Sequence, residues 1–289
     1  MTLSMARIGV IARADRPDAA TVVRDLARWL RARGRQVVVD PETAALLPDG
    51  AAAVERVELP GRVDLIVVLG GDGTLLSVAR LVDGRDVPIL GVNLGGLGFL
   101  TATTQEALFP TLEAVLGGDY TAEDRMLLAA THSRGGQLLA EYLALNDVVI
   151  AKGALGRLID LEVAVDGQMV TAYRADGLII ASPTGSTAYN LSAGGPILFP
   201  TMDAVVLTPI SSHALTNRPI VLPGAVRLEV SLLTDSPDVV LSLDGLPGLS
   251  LTLKDVIGVQ RSSARIRLIR DPQKTYFQVL RTKLKWGER

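Results

Sequence analysis

Three stretches of this 289-residue chain combine residue types and spacings that chemistry can use. The first is Gly70-Gly71-Asp72-Gly73-Thr74, placed directly after the apolar run Leu65-Ile66-Val67-Val68-Leu69 and before a helical stretch over 75–82. Strand, glycine turn and helix start form the arrangement by which α/β proteins bring phosphate close to backbone. Glycine reaches positive φ and leaves N–H groups open, while the helix start adds unpaired donors and the positive end of its dipole. A carboxylate at position 72 is costly beside an anion unless it holds a cation or takes a proton from an attacking hydroxyl. Both tasks belong to phosphoryl transfer. Taken alone, the same five residues also fit an ordinary turn, because Asp and Gly favour turns. Two better-known glycine signatures are excluded. A dinucleotide fingerprint reading from Gly71 and Gly73 would need a third glycine where Leu76 stands, and a Walker A loop needs a Gly-Lys pair that is missing nearby.

The second stretch, Asn93-Leu94-Gly95-Gly96-Leu97-Gly98-Phe99-Leu100, follows an apolar run over 87–92. In a parallel sheet it opens on the same edge as the first, and its Leu and Phe residues favour a packed loop over a flexible connector. The third runs from Arg174 to Pro196, where the apolar run 177–181 empties into Ser182-Pro183-Thr184-Gly185-Ser186-Thr187-Ala188-Tyr189-Asn190-Leu191-Ser192. Ser186, Thr187 and Ser192 can hydrogen-bond sugar hydroxyls, phosphate or a base edge. Tyr189 offers a ring for stacking, worth about 1 kcal/mol beyond its buried area. Arg174 could meet a pyrophosphate and Asp176 an amide or hydroxyl donor, although Ser/Thr/Gly loops also occur without function. Asn146-Asp147, ahead of Val148-Val149-Ile150, is either a turn or a clamp for hydroxyls and ring nitrogens. His132, at a strand edge, reads as solvated, and His213 is too isolated for a metal site. Ser186 does not lie in a Gly-x-Ser-x-Gly elbow, which removes the support for a serine hydrolase.

The elements that must position these stretches change character along the chain. Strands at 7–12, 37–39, 65–69 and 87–92 alternate with helical spacing over 17–33, a weaker Ala-rich stretch over 42–57, and helices at 75–82 and 106–116. That alternation predicts a parallel sheet covered on both faces, with ligands beyond the carboxyl ends of its strands. After about residue 120 come short β-leaning segments at 126–132, 137–143, 147–151, 158–165, 169–173, 177–181, 204–208, 219–222, 225–233, 238–243 and 249–253, which predict an antiparallel sandwich. The expected fold is therefore α/β plus all-β. A Rossmann-like parallel-sheet domain spans 1–120, completed by about 265–289, and a β-sandwich-like domain spans 121–264. The segment 273–288, with Tyr276, Phe277, Leu280, Leu284 and Trp286, reads as an element docking onto the body.

Composition bounds the partners. The net charge of −2 supplies no basic field for nucleic acid, and the Arg clusters at 24–35 and 261–270 read as solvated faces. The absence of cysteine excludes disulfides, thiolate catalysis and Cys-based zinc sites, and fits a reducing compartment. The chain start lacks a signal-peptide apolar region, and no apolar stretch reaches the length of a membrane span. A soluble cytoplasmic protein without membrane or nucleic-acid partners is expected.

Taken together the motifs resemble those of the NAD kinases. The likeness is carried by Gly70 to Leu76, Asn93 to Leu100, Asn146-Asp147, Asp176 to Ile179, Pro183 to Tyr189 and Arg218 to Pro223, in the family's order across roughly 65–245. The first motif alone is shared with lipid kinases and phosphofructokinases; the set is far more specific. The resemblance implies phosphorylation of the adenosine-ribose 2′-hydroxyl of NAD to NADP by a nucleoside triphosphate or polyphosphate donor with Mg2+. Asp72 would be the general base, and Gly70, Gly71, Gly73 and Thr74 the phosphate-donor loop. Asn146 and Asp147 would clamp the adenosine, with Thr187 and Tyr189 beside it. Asp176 and Ala188 would border the nicotinamide, and Asn190, Leu191 and Ser192 would complete the dinucleotide loop. Arg157 and Arg174 match positions that line the site, from a neighbouring subunit of a homodimer or homotetramer. No separate protein metal site is implied. One departure follows Ser242-Leu243-Asp244, where many relatives carry a polar contact to the dinucleotide and this chain has Gly245-Leu246. Two rivals stand beside this reading. A lipid or sugar kinase would show Gly-Thr-x-Asn-Asp in the second loop, and a non-catalytic dinucleotide sensor would have no use for Asp72.

Overall fold

The computed structural model describes residues 5–48, 51–82, 84–153, 157–246, 248–270 and 274–287. The chain divides into two compact units, Met1–Asp124 with Ile266–Arg289, and Arg125–Arg265.

The first unit opens with β1 (Arg7–Ala12), α1 (Ala19–Ala32), β2 (Gln36–Val39), α2 (Pro41–Ala44), β3 (Ala52–Ala53) and β4 (Leu65–Leu69). It continues through α3 (Asp72–Val82), β5 (Ile89–Asn93), β6 (Thr103–Thr104) and α4 (Leu108–Leu116). The strands pair in parallel in the order β5-β4-β1-β2-β3, with β6 also along β5. Leu65, Val67 and Leu69 share a core with Val22, Val23, Leu26 and Leu30 of α1 and Leu108 and Leu112 of α4. Ile66 and Val68, on the opposite face, are fully buried as well. A strand covered on both sides has no wet face, so its sequence cannot alternate; this is the physical source of the unbroken run at 65–69. Each such side chain contributes roughly 1.5–3 kcal/mol by leaving water.

The Ala-rich stretch over 42–57 departs from its helical reading. Only α2 forms there, started by Pro41 and by the Asp40 carboxylate accepting from the Thr43 N–H at 2.9 Å. Pro48 disfavours helix for the residue before it, and positions 49 and 50 lie outside the described residues.

In the second unit the elements are β7 (Thr121–Arg134, entering from the first unit), β8 (Gln137–Ala144), β9 (Asp147–Lys152), β10 (Ile159–Val165), β11 (Gln168–Ala175) and β12 (Gly177–Ala181). After these come the single turn α5 (Tyr189–Ser192), then β13 (Ala204–Ile210), β14 (Ile220–Pro223), β15 (Leu228–Leu232), β16 (Val239–Leu243), β17 (Leu249–Ser250) and β18 (Asp255–Arg270). One sheet runs β11-β10-β15-β18 and adds the β7–β8 hairpin along β18; the other runs β14-β13-β12-β9-β16-β17. Alternate residues from both sheets fill a shared core: Ile159, Leu161 and Val163 from one, Val239, Leu241 and Leu243 from the other. Strand β12 is again buried on both faces. Leu178 and Ile180 enter that shared core, whereas Ile179 and Ala181 pack with Leu198 and Val206 in a second one.

The chain then returns to the first unit. Leu268 of β18 pairs in parallel with Ile89, and α6 (Tyr276–Leu284) starts with a Thr275–Gln278 capping box. Lys274 Nζ donates to the Ala102 carbonyl at 2.8 Å, and Lys283 lies over the Phe99 ring at 5.8 Å. Val279 and Leu280 are the buried residues of α6, Tyr276 and Leu284 are half-buried, and Phe277 and Trp286 are exposed, so the stripe packs through its middle. Positions 273 and 288, the ends of that segment as read from the sequence, lie outside the described residues.

One reading is corrected here. His132 is buried, not solvated: its ring nitrogen Nε2 meets the buried Asp255 carboxylate at 2.9 Å. The arginines at 261–270 belong to the sixteen-residue strand β18, where Arg261 and Arg265 are exposed and surface ion pairs form, among them Arg261–Asp203 at 2.7 Å and Arg267–Asp86 at 2.8 Å. Among the described residues no helix is long and apolar enough to cross a membrane.

Candidate active site

Helix α3 begins at Asp72, and its first bonds run from the Thr74 and Leu75 N–H groups to the Gly71 carbonyl, at 3.1 and 3.2 Å. The amides before Thr74 therefore have no use inside the helix, as at any helix start. Gly70, Gly71 and Gly73 do not take the positive φ expected of them. Their value is space. A Cβ on Gly70 would crowd the Thr74 side chain, and the positions where Gly71 and Gly73 would carry one face open volume.

The Asp72 carboxylate points at the second glycine loop. Oδ1 accepts from the Leu100 N–H at 3.0 Å, the Thr101 N–H at 3.0 Å and the Thr101 hydroxyl at 2.9 Å; among the described residues Oδ2 accepts only from the Phe99 N–H at 2.8 Å. Gly98 is where it must be glycine, since a Cβ there would overlap Asp72 Oδ1 and Thr101 Oγ1. The Asn93 amide donates to Thr101 Oγ1 at 2.8 Å, its carbonyl oxygen accepts from the Gly95 N–H at 2.8 Å, and Arg16 donates to the Leu94 carbonyl at 2.7 Å. The loop is thus a rigid bracket around one carboxylate. With about two lone-pair sites per oxygen, Oδ2 is the atom with capacity left.

Beside Gly73, Thr74 and Ser77 opens a cleft of about 480 Å³ whose other walls are Ala12, Arg13, Ala14, Asp15, Glu42 and Arg56. Arg13 forms a two-bond pair with Asp15, at 2.7 and 2.9 Å, and Arg56 Nη2 pairs with Glu42 at 2.8 Å while Nε donates to the buried Asp40 at 2.6 Å. Cations, carboxylates and free helix-start amides therefore meet in one concavity. None of the cleft residues outside 73 and 74 had been singled out by motif: Ser77 lies one turn further along α3, and the others are scattered over 12–56.

In the second unit Asn146 and Asp147 sit where the chain enters β9. Leu145, Asn146 and Asp147 donate their N–H groups to the Asp244 carboxylate at 3.0, 2.7 and 3.2 Å. The Asn146 side chain is half-buried and makes no hydrogen bond with the described residues. Asp147 is buried; burial first, and then the negative charge of Asp244, push its carboxyl up to about 7. Thr187 and Ala188 are half-buried, Tyr189 and Ser192 exposed, and Leu191 half-buried around the turn α5. Asn190 is different: it is fully buried, with its amide donating to the Ser186 and Pro196 carbonyls at 2.9 and 3.0 Å and its oxygen accepting from Thr208 Oγ1 at 2.6 Å. Its carboxamide is occupied in holding the loop's shape. Asp176 pairs with Lys152 at 3.3 Å, Arg174 lies 4.0 Å from Asp160, and Arg157 is exposed in the loop before β10. Arg125, which donates to Thr184 Oγ1 at 3.4 Å, carries no motif signal of its own, and the bonds of Asp244 and Ser182 to the 145–147 turn come from the fold.

Similarity to known proteins follows the same two halves. The profile of the ATP-NAD kinase N-terminal domain matches residues 8–120 and that of the ATP-NAD kinase C-terminal domain residues 145–271. The NAD kinase of Syntrophotalea carbinolica is 51% identical over 285 residues, covering 99% of this chain and all of that one; the NAD kinase of Geotalea daltonii is 50% identical with the same coverage. Among solved structures, yeast NADH kinase complexed with NADH superposes with a TM-score of 0.90 at 25% identity, over 99% of this chain and 89% of that one. An NAD kinase from Archaeoglobus fulgidus in complex with ATP shares the fold, with a TM-score of 0.74 at 24% identity over 96% of this chain and 98% of that one. With the bracketed Asp72 on one unit, the fastened Asn146 turn on the other, and both domain profiles matched in order, the chain belongs to the NAD kinase family and is a phosphotransferase.

Proposed function

We propose that Asp72 Oδ2 accepts the proton of the adenosine-ribose 2′-hydroxyl of NAD as that oxygen attacks the terminal phosphorus of a nucleoside triphosphate. The new bond joins the 2′-oxygen to phosphorus, the bond to the bridging oxygen breaks, and NADP and the nucleoside diphosphate leave. The observation that carries this reading is the bracket around Asp72: three donors occupy Oδ1 and one occupies Oδ2. A base held in place before the reaction supplies about 100-fold or more, and positioning supplies the rest in a reaction with little covalent chemistry.

The cleft at Gly73, Thr74, Arg13 and Arg56 suits the donor phosphates. A magnesium ion bound with the donor would neutralise phosphate charge. Among the described residues no group of three or more His, Cys, Asp or Glu forms a cage for it. The cleft carboxylates Asp15 and Glu42 are paired with Arg13 and Arg56, so the ion would come held by the donor phosphates. In the second unit Asn146 and Asp147 would hold the adenosine, Tyr189 and Thr187 flank it, and Asp176 and Ala188 border the nicotinamide. Because Asn190 is buried, its part is to shape that loop from within.

Assembly as a homodimer or homotetramer is part of the same reading. Strands β8 and β11 are the outer strands of their sheet within the second unit, and they expose Leu138, Leu139, Met169 and Val170. Apolar edge strands are ready to pair with another chain. Arg157 and Arg174 would then line a neighbour's site. A cysteine-free sequence fits a cytoplasmic setting.

The test is direct. Purified protein is incubated with NAD, ATP and magnesium, and NADP is read through an NADP-specific dehydrogenase. Steady NADP formation is expected, and replacing ATP by polyphosphate in the same assay profiles the donor. Binding of NAD without turnover would favour a sensor, and phosphorylation of a lipid or sugar in place of NAD would favour the other kinases.

A further inference from the structure

The turn Leu145-Asn146-Asp147 is fastened on both its polar sides. Its three successive N–H groups converge on the Asp244 carboxylate, at 3.0, 2.7 and 3.2 Å. In return the Asp244 N–H donates to the Asp147 carbonyl at 3.0 Å. On the opposite side Ser182 Oγ donates to the Leu145 carbonyl at 2.5 Å, and the Ser182 N–H donates to the Asn146 carbonyl at 2.8 Å. Ser182 Oγ also accepts from the Gly185 N–H at 3.1 Å, which ties the turn to the Pro183–Tyr189 loop. Gly185 presses so close that a Cβ there would overlap the Asn146 backbone. Among the described residues no hydrogen bond reaches the Asn146 carboxamide.

Asp244 reaches this place through an unusual backbone. It takes φ +50° and Gly245 takes φ +71°, two consecutive left-handed residues that reverse the chain after β16. Left-handed backbone is uncommon outside glycine, and Asp tolerates it better than most. The residues that follow, Gly245 and the half-exposed Leu246, offer no polar side chain to a ligand. Asp244 is therefore the polar side chain at this reversal.

We propose that Asp244, with Ser182, is a positioning residue: the two hold the turn at 145–147 so that the Asn146 carboxamide is aimed before the dinucleotide arrives. Neither touches the substrate. This rests on Asn146 being a dinucleotide contact, as proposed above. A displacement of the turn by a fraction of an ångström loses binding without altering the phosphoryl donor's side of the reaction.

The experiment is a kinetic cycle on the full-length protein with Asp244→Asn, Ser182→Ala, Asn146→Ala and the double variant Asp244→Asn/Asn146→Ala. Asp244→Asn keeps the shape but replaces one accepting oxygen by an NH2 donor, so at least one of the three N–H groups loses its acceptor. It is expected to raise KM for NAD about 10- to 100-fold, with kcat and KM for ATP within about 2-fold of the parent. Ser182→Ala should move KM for NAD in the same direction by less, and it tests the same fastening should Asp244→Asn fail to fold. The double variant should be no worse than Asn146→Ala alone, because both changes remove one contact. Additive losses, an unchanged KM for NAD in Asp244→Asn and Ser182→Ala, or a parallel fall in every kinetic constant with a lowered Tm would overturn the positioning role. An unchanged KM for NAD in Asn146→Ala would instead overturn the dinucleotide contact on which it rests.

Discussion

Thr101 gives Asp72 two of its four hydrogen bonds, one from its N–H and one from its hydroxyl, and the hydroxyl in turn accepts from Asn93. Thr101→Val keeps the volume and removes the hydroxyl. The carboxylate then loses a restraint, and kcat is expected to fall about 10-fold with NAD affinity unchanged, as for other residues that orient a reacting group. A steady-state comparison with calorimetric NAD titration checks it. Asp147 makes a prediction about stability and pH. Its carboxyl titrates at about 7 in the folded chain and near 4 in an unfolded one. Between those values the folded state binds more protons than the unfolded state, so stability falls as pH rises from about 4 to about 7. Asp147→Asn should flatten that part of a Tm-against-pH profile and melt above the parent at pH 8; an unchanged slope would show that another group sets it. At this scale Asp72, Asn146 and Asp176 could be picked out from residue type and neighbours. Asp244 and Ser182 lie inside marked stretches, but their fastening role could not be read, because the partners they hold are about a hundred and about forty residues away.

The loop at 93–101 illustrates how an element was legible in kind and misread in detail. Its Leu and Phe residues signalled a packed loop, and the loop does pack: Arg16 holds it from one side, and Lys274 reaches the carbonyl of the next residue, Ala102. The glycines at 70–73 were expected to take positive φ and do not; a Cβ would crowd a neighbour at Gly70, Gly95 and Gly98, whereas Gly71, Gly73 and Gly96 face open space. Gly98→Ala is accordingly predicted to displace Asp72 and cut kcat by about 100-fold, with the far-UV spectrum and NAD binding retained. Wild-type turnover in that variant would mean the loop yields without moving the carboxylate. A second element-scale device lies in β7 and β18. Burial raises the Asp255 carboxyl, but hydrogen bonds from Arg134, the Thr252 N–H and His132 outweigh it and hold the group well below the usual carboxylate range. A depressed carboxyl stabilises the fold above about pH 4 and releases that stability as pH falls. Asp255→Asn leaves Arg134 and His132 without their charge partner and should cost about 3 kcal/mol in urea unfolding at pH 7.

Across the molecule, the runs at 65–69 and 177–181 were readable because burial on both faces removes every polar position. The long strand β18 was not. Its arginines interrupt the apolar pattern, and what neutralises them are carboxylates such as Asp86, Asp124 and Asp203, far away in sequence. The same reason hid the buried His132–Asp255 pair, whose members are separated by 123 positions. The proposed site residues were easier to single out than the packing because they sit in contiguous loops. The most direct measurement is therefore on Asp72 itself: the rate of NADP formation and the NAD dissociation constant, determined side by side for the parent and for Asp72→Asn. The expected result is a fall in kcat of about 100-fold or more with NAD bound about as tightly as before. Near-normal NADP formation in Asp72→Asn would contradict the assignment of this carboxylate as the base.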